Sequence, residues 1–197
     1  MRSSGVLADR ETWPPSERSI EVGPLALAWE QWITGTPTQF RLLAHLTFGR
    51  GDYRSVCLPG SRYRRRERPA TLDRAKAAWK TLTDRIARNT MPFGGRSGEK
   101  LLSVRSIEQH RDGEHHLHAL LAAPPGVPPL VPQDVLRHWV GEDASRPEFG
   151  FAEVVVVNPA MVARAVRYVV KDADRGADVM ASKALALWTP KGTYSKR

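Results

Sequence analysis

Residues 107–121 read IEQHRDGEHHLHALL and hold four of the chain's six histidines. Two extended runs, LLSVRSIEQH (101–110) and EHHLHALLAA (114–123), flank Arg111-Asp112-Gly113, so the segment predicts a β-hairpin. Side chains alternate between faces along a strand, which sets His116 and His118 on one side and Leu117, Ala119 and Leu121 on the other. The pattern predicts a half-buried strand whose second face carries imidazoles. The turn decides where Glu108 falls. A two-residue Asp112-Gly113 loop pairs it with Leu117, on the apolar side. A three-residue loop admits two registers: His110 opposite Glu114, which sets Glu108 across from His116, or Arg111 opposite His115, which sets it across from His118. Either gathers a carboxylate and two imidazoles on one face, with His110 as a spare ligand and His115 turned away. Both need Gly113 to take a left-handed conformation. Glu108, His116 and His118 can then hold a divalent cation and leave positions open for water or phosphate oxygens. Satisfied or solvated histidines are the plainer alternative for so short a pattern.

Outward from the hairpin, the elements alternate. LALAWEQWI (25–33) fits a short helix, and FRLLAHLTF (40–48), a largely apolar run, a buried strand. Over 71–89, Leu72, Ala75, Trp79, Leu82 and Ile86 recur at helical spacing, with charged residues between them, so one stripe packs on a sheet. PQDVLRHWV (132–140) reads as a helix and FGFAEVVVV (149–157) as a strand. Asn158-Pro159 caps and opens a helix running to about Asp174, with Gly176 as its stop. The order β, α, β-hairpin, α, β, α predicts an α+β fold, a central, mainly antiparallel sheet flanked by helices. The expected division is an N-terminal arm or short helix over 1–35, one domain over 36–180, and a basic tail over 181–197.

Charge narrows the partners. A net charge of +9 comes with seven lysines and 23 arginines, a surplus that favours a polyanion, nucleic acid first. The lone Cys57 excludes an internal disulfide and a cysteine zinc cluster. No run of about 18 apolar residues is present to span a bilayer, and the N-terminus lacks a signal peptide's apolar core, so a cytoplasmic location is expected. SRYRRRER (61–68) reads as a DNA contact: Arg62, Arg64, Arg65 and Arg66 for phosphates, Tyr63 to stack on a base.

On a helical wheel of 158–175, Val162, Ala165, Val166, Val169, Val170 and Ala173 gather on one side. Arg164, Tyr168, Lys171 and Arg175 fall opposite, within a sector of about 60°. Tyr168 is thus expected on the polar face among cations. There a tyrosine hydroxyl can attack phosphorus, with neighbouring positive charge favouring phenolate. Arg164 and Arg175 are expected to contact DNA.

Together these segments resemble the HUH endonucleases, the nicking domains of rolling-circle replication (Rep) initiators. LLAHLTFG (42–49) resembles the first, strand-forming motif. HLH at 116–118, with Glu108 upstream, resembles the metal motif, and YVVK at 168–171 the catalytic Tyr-x-x-Lys helix. The resemblance covers roughly residues 40–176. It implies a central antiparallel sheet flanked by helices, and Mn²⁺ or Mg²⁺ on Glu108, His116 and His118. Tyr168 is then the nucleophile that leaves a 5′-phosphotyrosine, and Lys171 orients or neutralises the phosphate. Single-stranded or hairpin origin DNA is the implied substrate. No GxxxxGK[ST] loop follows, so a helicase would be a host partner. A single tyrosine on this helix fits the one-tyrosine initiators; one-tyrosine transposases share the motif order, and a non-catalytic DNA-binding regulator explains the charge alone.

Overall fold

The structure is a computed structural model that describes residues 22–48, 71–90, 101–109, 113–141 and 149–187. The chain runs α1 (Pro24–Thr34), β1 (Leu42–Thr47), α2 (Leu72–Thr90), β2 (Leu102–Gln109), β3 (His115–Ala122), α3 (Pro132–Trp139), β4 (Ala152–Val156), α4 (Val162–Val170), β5 (Asp178–Ala181) and α5 (Lys183–Leu187). The five strands form one antiparallel sheet in the order β4-β1-β3-β2-β5. The fold is α+β.

Strand alternation sorts the side chains into two cores. Leu117, Ala119 and Leu121 of β3 join Leu42, Ala44 and Leu46 of β1 under the apolar stripe of α2 and Trp139 of α3. On the other face Leu43, Val104 and Leu120 pack against Ala165, Val166, Val169 and Val170 of α4, with α1 and Leu185 of α5 alongside. Each fully buried leucine stabilises the fold by about 1.5–3 kcal/mol relative to exposure. The sheet is therefore covered on both sides, not half-buried as the alternation of β3 alone suggests.

Local chemistry fixes the ends. Asp134 caps α3, its Oδ2 accepting from Val131 N at 2.8 Å. Asp174 caps α1 from far along the chain, accepting from Leu25 N at 2.9 Å and Ala26 N at 3.0 Å. Its carboxylate occupies the space that a Cβ on Gly23 would need. The helix expected from Asn158 to Asp174 is three pieces. A 3-10 turn at Pro159–Met161 precedes α4, and another at Ala173–Arg175 follows Lys171-Asp172. Asp172 O closes that end by accepting from Arg175 N and Ala177 N, and Gly176 stops it at φ +88. The helix in 24–34 packs on α4, with Ala26 and Ile33 buried. The first part of the expected 181–197 tail is likewise structured, through the end of β5 and α5. No helix among the described residues is long and apolar enough to cross a membrane.

Candidate active site

The hairpin takes one of the two odd-loop registers: Glu108 stands opposite His116 and Gln109 opposite His115. Gly113 has φ +86, the left-handed backbone that this turn requires. The next pairing carries the pattern across the sheet, with His45 of β1 opposite His118, Thr47 opposite His116, and Glu153 of β4 opposite His45. One end of the α4-side face thus exchanges leucine and valine for histidine and glutamate. Beside them opens a cavity of about 600 Å³, lined by His45, Glu108, His116, His118, Tyr168 and Lys171, among others.

The contacts converge on one carboxylate oxygen. Glu108 Oε2 lies 3.4 Å from both His116 Nε2 and His118 Nε2, and Lys171 donates to it at 2.6 Å. The two Nε2 atoms are 3.0 Å apart. His45 stacks on His118, ring centres 4.6 Å apart and planes 19° from parallel. Tyr168 meets His118 edge-to-face at 4.7 Å, and Lys171 Nζ sits 4.8 Å from the centre of the Tyr168 ring.

Electrostatics set the protonation states. Burial works against an ionised Glu108, but the hydrogen bonds from His116 and His118 and the Lys171 ammonium outweigh it and hold its pKa well below the usual carboxylate range. Burial, aided by Lys171 and His116, pushes His118 down against the pull of Glu108, favouring the neutral imidazole that a metal ligand needs. Tyr168 departs from expectation. Burial first, then the charges of Glu108, Glu153 and Asp172, raise its pKa, so the resting group is a phenol and not the phenolate that neighbouring cations suggested. Nor does it ride the outer polar face of its helix; it is half-buried over the histidines.

His45, His116 and His118 can hold a metal ion: each offers a ligand atom, all within 4.8 Å of one another. The 3.0 Å between the Nε2 atoms of His116 and His118 matches neighbouring ligands of an octahedral ion, whose bonds of ~2.1 Å put them about 3.0 Å apart. His118 Nδ1 is buried with no hydrogen-bond partner among the described residues, where a ligating histidine usually donates from its second nitrogen.

Of the remaining expected site residues, Arg164 and Arg175 lie among the described residues. Arg175 lines the cavity and pairs with Asp172 at 3.0 Å. Arg164, one turn before Tyr168 on α4, does not line it. Arg62, Tyr63, Arg64, Arg65, Arg66 and the spare ligand His110 lie outside the described residues. Sequence reasoning missed His45, although the signal was present: Leu43, His45 and Thr47 alternate against Leu42, Ala44 and Leu46. No family model, curated protein or solved structure matches this chain.

Proposed function

We propose that this chain is an HUH-type nicking endonuclease, which cuts one DNA strand at an origin to start rolling-circle replication of a plasmid, virus or mobile element. The observation that carries the reading is the Tyr168 ring 4.7 Å from His118, whose Nε2 meets Glu108 beside that of His116. A phenol, a carboxylate and imidazoles at one cavity are the groups that a metal-assisted phosphoryl transfer to tyrosine requires.

Under this reading His116, His118 and Glu108, with His45 beside them, would hold Mn²⁺ or Mg²⁺, which would supply Lewis-acid polarisation of the scissile phosphate. The chain does the rest. Tyr168 Oη bonds to phosphorus as the bond from phosphorus to O3′ breaks. The phenol proton leaves Tyr168, and the departing 3′-oxygen takes one up. The products are a 5′-phosphotyrosine and a free 3′-hydroxyl, and the retained ester energy permits rejoining by reversal. Because Tyr168 rests as a phenol, its proton has to be lost as the new bond forms. The Lys171 ammonium stands beside the phenol ring, placed to offset negative charge on the phosphate or on the leaving oxygen.

The test is incubation with labelled single-stranded origin DNA and Mn²⁺, followed by denaturing electrophoresis. A covalent protein–DNA adduct is expected from the wild type and none from Tyr168→Phe. A non-catalytic regulator would bind equally well in both forms and give no adduct in either, which would reject the proposal.

A further inference from the structure

A second cavity, of about 510 Å³, opens on the opposite face of the sheet, between α2 and β5. Lys76, Trp79 and Lys80 line it from α2, Arg105 from β2, Met180 from β5 and Lys183 from the start of α5. Lys80 pairs with Asp84 at 2.6 Å, while Asp178 takes both Arg105 at 2.9 Å and Lys76 at 3.4 Å. Three of these cations, Lys76, Lys80 and Arg105, thus share two carboxylates, an excess of one positive charge among these pairs.

Arg105 is the unusual member. It is 2 % exposed, and its Nε has no hydrogen-bond partner among the described residues. Its Nη2 reaches the sulfur of Met180 at 3.6 Å, a weak acceptor. A buried guanidinium with incomplete hydrogen bonding costs free energy that an anion held above it would offset. Trp79, Met180 and the lysine stems give an apolar floor on which a base can lie, with the ammonium groups at its rim.

The two cavities are neighbours along the chain. Ala177, just before β5, lines the first and Met180 of β5 the second, a reach of at most about 10 Å for three residues. We propose that this groove binds the phosphates of the single DNA strand leading to or from the catalytic cavity, the strand bending around β5. The route rests on the nicking reading above; the affinity for the strand rests on the groove's own charge.

The experiment compares wild-type protein with Lys76→Gln/Lys80→Gln by fluorescence anisotropy on labelled single-stranded DNA of about 20 and about 6 nucleotides, at several salt concentrations. On the long strand the variant should bind about tenfold more weakly. Its plot of log K against log salt should be shallower by about 1.4, at ~0.7 per lost phosphate contact. Binding of the short strand, spanning only the cleavage site, and its Mn²⁺-dependent adduct should stay as in the wild type. Lys76→Glu/Lys80→Glu should deepen the long-strand loss without touching the short. Unchanged long-strand binding overturns the proposal, as does an equal loss on both lengths, which would mark diffuse attraction. A length-dependent loss from a protein that forms no adduct in its wild-type form supports the groove as a strand site while rejecting the nicking reading.

Discussion

Two adjacent stretches of one sheet face do opposite work. Where Leu43, Leu120 and Val104 stand side by side, α4 covers them with valines and the contact is apolar. One row further along the same strands come His45, His118 and Ser106, and beyond them Thr47, His116 and Glu108. The backbone is as regular in one stretch as in the other, and His116, His118 and Glu108 are buried. Only the side chains change. Burying imidazoles and a carboxylate costs free energy that leucines would have contributed, so packing does not explain the polar rows. The helix above changes in step: Val166, Val169 and Val170 are buried in the core, while Tyr168 and Lys171 border the cavity.

If that contrast is right, the two stretches respond to mutation in opposite ways. His118→Leu should abolish Mn²⁺-dependent cleavage, while the urea midpoint stays level or rises, since a buried nitrogen without a partner is removed. A variant that still nicks at the wild-type rate would break the assignment. Leu120→Ala, one row away, should cost about 2–5 kcal/mol of stability in urea denaturation, with adduct formation retained at temperatures where the variant stays folded. Lys171→Ala should slow single-turnover cleavage by about 10²-fold, a smaller defect than that of Tyr168→Phe. An equal loss would mean that the lysine is more than a phosphate partner.

The smallest effect concerns proton loss from Tyr168. Its pKa is raised in the fold, so the ionised fraction, and with it single-turnover cleavage at saturating Mn²⁺, should increase as pH rises above neutral. Glu153→Gln removes one of the contributing negative charges and should move that pH profile slightly downward. A profile shifted upward would contradict the cause assigned here.

Much of this was legible in the chain, for identifiable reasons. The alternation of His116 and His118 against Leu117 and Ala119 marks a face without any tertiary information, and the odd-loop condition on Gly113 restricted Glu108 to a few positions. Strand pairing beyond the hairpin was not legible. His45 joins the site only because β1 lies against β3 with residue 45 opposite 118, a pairing between segments more than 70 residues apart. The short edge strand β5 carries too few residues to show a period, and it is held by its pairing with β2. Tyr168 was placed among cations by the helical wheel, which shows the charges on one helix only. The carboxylates that raise its pKa include Glu108 and Glu153 from two different strands.

The claim on which the account stands is that Tyr168 is the group that takes up DNA. Mass-spectrometric mapping of protein treated with single-stranded origin DNA and Mn²⁺ tests it most directly. The account predicts a nucleotide-bearing peptide modified at Tyr168 and dependent on the metal. A modification at another residue, or none with DNA that the protein demonstrably binds, would contradict it.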